Sequence, residues 1–248
     1  MKILGDIGNT ETKICLVNTQ NKVIKRFILK TKNINFEILE KKFSKFRLNK
    51  LNINKSLFCS VVPKVFFIFR NFFKKKYNIR TYELKKLKLS SILKIKVNYK
   101  QVGSDRLANA IGLVNNKDNF IILDFGTATT FDVLIKKTYH GGIIAPGVQL
   151  SLNTLINKAS LIPILKLKKV SKVIGNNTIM AVRSGFFWGY SGLIDNIIKL
   201  IKKETKCSFK IIITGGFSNL FKKSIKTKFI HNKDLTIEGL IKASNLIK

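Results

Sequence analysis

The chain has 248 residues, 45% of them hydrophobic, enough to build one large core or two smaller ones, which excludes a disordered tail. Lys and Arg number 47 against 13 Asp and Glu, and a formal net charge of +34 ordinarily suggests nucleic acid or an anionic membrane as partner. Only Arg26, Arg47, Arg70, Arg80, Arg106 and Arg183 are arginines, the lysines are spread along the whole chain, and Lys, Asn, Ile and Phe are all abundant. The charge is therefore assigned to an A/T-biased genome, and no nucleic-acid partner is expected. Cys15, Cys59 and Cys207 lie far apart without C-x-x-C spacing, which excludes a disulfide framework and a structural zinc site; they read as small buried apolar residues. Asp6 and Glu11 interrupt any signal peptide, and no uncharged apolar run of about 18 residues exists, so a cytoplasmic protein without a membrane span is expected.

In chain order, residues 2–18 (KILGDIGNTETKICLVN) read as strand, tight turn and strand. A third strand is expected over 22–30. Residues 35–48 follow as a helix with Phe36, Leu39, Phe43 and Phe46 on one face. The run 57–62 reads as a strand closed by Pro63, which opens a helix carrying Val65, Phe66, Phe69, Phe72 and Phe73. Beside Arg70 and Lys74 to Lys76 these aromatics can serve a membrane or RNA; the reading taken is a core-facing stripe with a solvated basic end. Residues 79–83 form a short strand, and 84–97 a lysine-rich connection in which no chemistry is legible. The stretch Tyr99 to Arg106 enters a helix that runs to Asn115. Ser104 or Asp105 can simply cap it. Alternatively Gly103 admits a close approach while Asp105 and Arg106 set a base beside an anion-binding fork. The polar turn 115–119 marks the expected boundary between domains 1–116 and 117–248.

The second half opens with residues 120–136 (FIILDFGTATTFDVLIK), which align without gaps onto residues 2–18: Asp124 falls on Asp6, Gly126 on Gly8 and Thr130 on Thr12. Each copy gathers a carboxylate, a glycine and hydroxyls at one bend. Such a turn presents N–H and O–H donors to phosphate and a carboxylate to a cation. Neither is a Walker A loop or a G-x-G-x-x-G fingerprint, and their repetition points to duplicated domains facing one another across a nucleotide. After them come a glycine-bracketed apolar run, 141–147, a helix from about Leu150 and a break at Pro163. Thr178 caps a long helix or turns its hydroxyl to substrate. The small residues Gly185, Gly189 and Gly192 within that helix suit a close approach by another helix or a ligand. Residues 210–214 form a buried strand ending in T-G-G, and Asp234 and Thr236 supply capping chemistry for the last helix.

In this order the segments DIGNT (6–10), SVVP (60–63), GSDR (103–106), DFGTATTFD (124–132), GGIIAPG (141–147), NT (177–178) with AVRSG, TGGF (214–217) and DLTIEGL (234–240) resemble the type III pantothenate kinase family over nearly the full chain. The resemblance implies an α/β fold of two duplicated ribonuclease-H-like domains of the actin-like (ASKHA) class, with nucleotide in the cleft between them. It implies transfer of the ATP γ-phosphate to the 4′-hydroxyl of pantothenate on the way to coenzyme A. It also implies a homodimer with the substrate site at the interface, and a requirement for Mg²⁺ and a monovalent cation, K⁺ or NH₄⁺. Carried over by position, Asp6, Ile7, Gly8, Asn9, Thr10, Glu11, Thr12 and Lys13 match the first phosphate loop, with Asp6 near Mg²⁺ through water. Thr127 matches an ATP contact and Asp124 the monovalent-cation ligand. Asp105 matches the general base, and Tyr99, Gly103, Ser104, Asp105, Arg106 and Thr178 match the substrate site. Glu11 and Phe217 depart mildly from the family pattern. A non-catalytic transcriptional accessory factor of the same family is the alternative, which loss of Asp105 or Asp124 would favour; both are present.

Overall fold

A computed structural model describes residues 1–46, 52–53 and 55–247; Arg47 and the last two residues of the helix expected over 35–48 lie outside the described residues. In chain order the elements are β1 (Lys2–Ile7), β2 (Glu11–Val17), β3 (Val23–Lys30), α1 (Phe36–Ser44), β4 (Lys55–Ser60), α2 (Pro63–Tyr77), β5 (Thr81–Glu83), β6 (Lys94–Ile95) and α3 (Ser104–Leu113). They continue with β7 (Asn119–Phe125), β8 (Ala128–Ile135), β9 (Thr138–Pro146), α4 (Val148–Lys158), α5 (Thr178–Thr205), β10 (Lys210–Gly215), α6 (Ser218–Phe221), β11 (Ile230–His231) and α7 (Leu235–Ala243). The chain divides into two compact units. The first is Met1–Val114 with Lys137–Tyr139 and the chain from Asp234 onward; the second is Asn115–Lys136 with His140–Lys233.

In the first unit the strand order is β3-β2-β1-β4-β5, with β1 antiparallel to β2 and parallel to β4, and β4 parallel to β5. The hairpin β1–β2 forms because alternating apolar residues flank a polar turn, while the crossover to β4 needs a helix of its own. That helix, α1, starts where the Asn35 side chain accepts from Ile38 N at 2.8 Å. Pro63 sits in the first turn of α2, where it has no N–H to leave unpaired, and the helix ends at Asn78 in the left-handed region (φ 53°). The aromatic stripe of α2 faces the core, as expected: Phe66, Phe69, Phe72 and Phe73 are buried. Ring centroids lie 4.9 Å apart for Phe58–Phe69 and 5.0 Å for Phe43–Phe73, and rings of this kind bury about 150–250 Å² each.

The second unit repeats this plan. Its strands run β9-β8-β7-β10-β11, with β7 antiparallel to β8 and parallel to β10, and β10 parallel to β11. Its core is aliphatic around a stack of Phe125 on Phe221 (5.3 Å) and Phe187 on Phe221 (5.9 Å). Among the described residues no helix is long and apolar enough to cross a membrane.

The expected cut at 116/117 differs from these units at the C-terminus, because α7 packs on α3 in the first unit. A Cβ on Gly239 would lie 1.8 Å from the Ala108 carbonyl oxygen, so only glycine lets the two helix backbones come this close. The capping role expected of Asp234 and Thr236 is also corrected. The Asp234 carboxylate takes the Arg26 guanidinium at 2.6 Å, and Thr236 Oγ1 donates to Asn109 Oδ1 at 2.8 Å. Both groups tie α7 to its neighbours, and no side chain caps the helix.

Candidate active site

The first hairpin ends β1 on Asp6 and Ile7, and Asp6 lies opposite Lys13 on β2 and Cys59 on β4. Gly8 N donates to Glu11 O at 3.0 Å and closes the bend, leaving Asn9, Thr10 and Glu11 exposed. Ile7 and Thr12 are buried, so they reach a ligand through backbone alone. The Thr12 hydroxyl meets Thr31 Oγ1 at 3.0 Å, and Thr31 Oγ1 donates to Gly8 O at 2.7 Å. These two threonines brace the bend from behind. Asp6 is half-buried. Its pKa is pushed up to about 6, first by burial and then by the charge of Asp105, against the pull of Lys13 and the Cys59 thiol, which donates to Asp6 Oδ1 at 3.4 Å. Burial and the neighbouring carboxylates push the Cys59 thiol well up, so it stays a neutral donor.

Asp105 stands in the first turn of α3, where a carboxylate is favoured by the helix dipole. Burial raises its pKa, while the N–H and the guanidinium of Arg106 pull it back; Arg106 N donates to Asp105 Oδ1 at 2.8 Å. A Cβ on Gly103 would lie 2.5 Å from that same oxygen, so glycine makes room for the carboxylate to fold against the helix entrance. The backbone of Gly103 is itself the N-cap, without a side-chain bond, which corrects the expectation that Ser104 or Asp105 caps the helix. Asp6 and Asp105 are thus two carboxylates of one unit, and Asp6 feels the charge of Asp105.

Ser104 is 1% exposed and its hydroxyl donates to Glu83 Oε1 at 2.6 Å, so its side chain holds the protein and not a ligand. Glu83 Oε2 also accepts from Lys85 N at 2.7 Å. Lys85 Nζ donates to Lys100 O (3.1 Å) and Val102 O (2.9 Å), and Tyr99 Oη donates to Lys85 O at 2.7 Å. Glu83, Lys85 and Tyr99 line a cleft of about 1120 Å³ in this unit, together with Phe66, Arg70 and Arg80. Glu83, Lys85 and Cys59 are absent from the expected site. Glu83 and Lys85 sit in or beside a stretch that reads as featureless from sequence, and the only local hint is an acid among lysines, in a chain with 13 acids to 47 bases.

In the second unit Asp124 lies opposite Thr130 on β8 and Thr214 on β10. Thr127 is exposed at the tip of the bend, where Gly126 N donates to Ala128 O at 3.0 Å. Gly215 has φ +89°, and a Cβ there would lie 2.6 Å from Asp124 Oδ1. Thr178 is exposed in the first turn of α5, but the cap is Asn177, whose side chain accepts from Met180 N at 2.9 Å; the capping reading of Thr178 is corrected. The close approach expected at Gly185, Gly189 and Gly192 is not made by another helix among the described residues, since added Cβ atoms there meet nothing within 4 Å.

Comparisons with known proteins agree with this arrangement. A family model described as type III pantothenate kinase matches residues 2–200. A type III pantothenate kinase of Pelagibacter ubique is 70% identical over 248 residues, 100% of each chain. Among solved structures, a Campylobacter jejuni protein assigned to the Baf family of transcriptional activators superposes with a TM-score of 0.62 at 20% identity, over 97% of this chain and 96% of that one. A ROK family glucokinase from Streptomyces griseus superposes with a TM-score of 0.54 at 12% identity, over 99% and 98% of the two chains. At such identities the likeness is one of fold, two duplicated ribonuclease-H-like domains of the actin-like class. By the match of its sequence, the chain belongs to the type III pantothenate kinase family.

Proposed function

We propose that this protein phosphorylates pantothenate at its 4′-hydroxyl with ATP, giving 4′-phosphopantothenate in the first step of coenzyme A biosynthesis. The observation that carries the assignment of roles is the pair Asp6 and Asp105: two carboxylates in mutual electrostatic reach, one at a phosphate-type bend and one on a helix beside an arginine. Phosphoryl transfer needs positioning and charge neutralisation more than covalent chemistry. Asp105 takes the proton of the attacking alcohol as the new O–P bond forms and the bond from the γ-phosphorus to the ADP oxygen breaks. Arg106 neutralises the acceptor side with Tyr99 and Gly103 beside it, and Thr178, on the second unit, is assigned a substrate contact by its match to the family. The acceptor is a carboxylic acid, and the cations Arg70, Arg80 and Lys85 of the neighbouring cleft suit its charge. The Asp6–Lys13 bend is assigned to the nucleotide phosphates, and Thr127, at the bend of the second unit, is assigned an ATP contact.

The donors fit the cations that the family implies. The Asp6 pKa is pushed up to about 6 because burial and the charge of Asp105 outweigh the pull of Lys13 and the Cys59 thiol, and a hydrated Mg²⁺ would shift that balance toward the carboxylate and neutralise developing phosphate charge. Among the described residues no cluster of three or more His, Cys, Asp or Glu could cage a metal, which suits an ion kept mostly in water and phosphate oxygens. Asp124 beside the bare backbone of Gly215 is a hard-oxygen cradle that a Cβ would fill, and it suits K⁺ or NH₄⁺. A homodimer in the cytoplasm is part of the reading. Leu161, Ile164 and Ile174 are 91%, 91% and 88% exposed and are the side chains a partner subunit would be expected to cover. The accessory-factor alternative is not favoured: Asp105 and Asp124 are both present, and the kinase relative matches at 70%.

The test is ATP-dependent phosphorylation of pantothenate by the purified protein, in K⁺ and then in Na⁺ alone. Product in K⁺ that drops sharply in Na⁺ is expected, and folded protein that makes no product in either salt overturns the reading.

A further inference from the structure

One carboxylate beside the candidate site, Glu83, lies outside every family motif. Glu83, at the end of β5, accepts from Ser104 Oγ at 2.6 Å and Lys85 N at 2.7 Å. Ser104 is the residue before Asp105 and is 1% exposed, so its hydroxyl is committed to Glu83. The other end of the same turn is sewn to the same loop, by Lys85 Nζ to the carbonyls of residues 100 and 102 and by Tyr99 Oη to the carbonyl of residue 85. Lys85 Nζ also lies 5.2 Å over the Tyr99 ring. The loop that delivers Gly103, Asp105 and Arg106 therefore has its conformation set from the 83–85 turn, at both its start and its end.

We propose that Glu83 is a positioning residue for the phosphoryl transfer: by holding the Ser104 hydroxyl it fixes the entrance of α3 and so the direction in which Asp105 presents its carboxylate to the acceptor alcohol. The inference rests on the kinase reading above. Its physical basis is that the N-terminal turn of a helix has few bonds of its own, while a displacement of about 1 Å in a reacting group costs on the order of 100-fold in rate. The Glu83–Ser104 bond is half-buried and charge-assisted, which makes it a stiff restraint. Glu83 itself touches no reacting atom and is not the base.

The test compares Glu83→Ala, Glu83→Gln and Ser104→Ala with the unmodified protein in kcat, in KM for Mg·ATP and in thermal midpoint. Glu83→Ala is expected to lower kcat about 10- to 100-fold with KM for Mg·ATP within about twofold. Glu83→Gln, whose amide oxygen still accepts from Ser104, is expected to recover most of kcat, and Ser104→Ala to reproduce the loss. Three outcomes overturn the proposal: Glu83→Ala with unchanged kcat, Glu83→Gln as slow as Glu83→Ala, or a kcat loss matched by an equal rise in KM for Mg·ATP. If Glu83→Ala does not fold, Glu83→Gln and Ser104→Ala decide by the same criteria. An unmodified protein that makes no phosphopantothenate would instead break the kinase reading, so the two failures are distinct.

Discussion

In the first hairpin Asp6 pairs with Lys13 across β2 and meets a thiol, Cys59, on β4; in the second Asp124 pairs with Thr130 across β8 and meets a threonine, Thr214, on β10. The backbones follow one plan, down to the equivalent bonds Gly8 N to Glu11 O and Gly126 N to Ala128 O, both 3.0 Å. The surroundings differ. Asp6 shares its unit with Asp105, whose charge raises its pKa, whereas Asp124 lies against Gly215 in a left-handed conformation. One copy of the bend thus gathers acid chemistry, and the other opens space for a single carboxylate beside bare backbone. Duplication set the scaffold, and the residues across from each aspartate set the specialisation.

The hairpins also differ by one residue at the tip. Gly8 to Glu11 stand between the last pair Ile7↔Thr12, but only Gly126 to Ala128 stand between Phe125↔Thr129. The counterpart of Thr12 is therefore Thr129, and both are fully buried; the gapless alignment, which put Thr12 on Thr130, is corrected after the glycine. The period of a strand is two, so a slip by one residue exchanges its faces.

The sharpest way to break the contrast is Asp105→Asn. If the first unit carries the proton chemistry, kcat falls about 10²- to 10⁴-fold while nucleotide and pantothenate binding persist, measured by steady-state kinetics and calorimetry; unchanged turnover would end that role. Next comes Asp6 without Mg²⁺. Its folded pKa of about 6 lies above the ordinary 3.8. It therefore contributes stability below about pH 4 that is lost as pH rises through 6, an effect of about 2–3 kcal/mol. Asp6→Asn should be more stable than the parent at pH 8 and equal to it near pH 4 in denaturant titrations, and a pH-independent difference would refute the environment described. Third is Gly215→Ala, which should destabilise by about 1–3 kcal/mol through its positive φ and the clash with Asp124. Ser60→Ala, at the corresponding register position on β4, should cost less than about 1 kcal/mol, both read from thermal midpoints. The smallest effect separates the two buried threonines. Thr12→Val loses the bond to Thr31 and should cost about 1 kcal/mol. Thr129→Val should be neutral or stabilising, because the Thr129 hydroxyl is buried without a hydrogen-bond partner among the described residues; equal losses would show that the two environments do not differ.

Much of this was legible in the chain. Strands over 22–30 and 210–214 appear within a residue or two as β3 and β10, the aromatic face of α2 is buried, and the motifs around Asp6, Asp105 and Asp124 sit at element ends. What stayed hidden was non-local. Glu83 and Lys85 gain their meaning from Ser104, Val102 and Tyr99, residues 14 to 21 positions away. Ser104 reads as a ligand contact until its hydroxyl is seen bonded inward, and Asp234 reads as a cap until Arg26 is found beside it.

By itself the sequence determined the periodic elements, the repeated bend and the family, because apolar spacing and turn chemistry act over a few neighbouring residues and motif order survives drift. Only the tertiary structure decided which carboxylates share an environment, which hydroxyls are consumed by the fold, and that the last helix joins the first unit. Those outcomes depend on burial and on contacts between strands and helices distant in the chain, and burial is what moves a carboxylate's pKa and commits a donor to one acceptor.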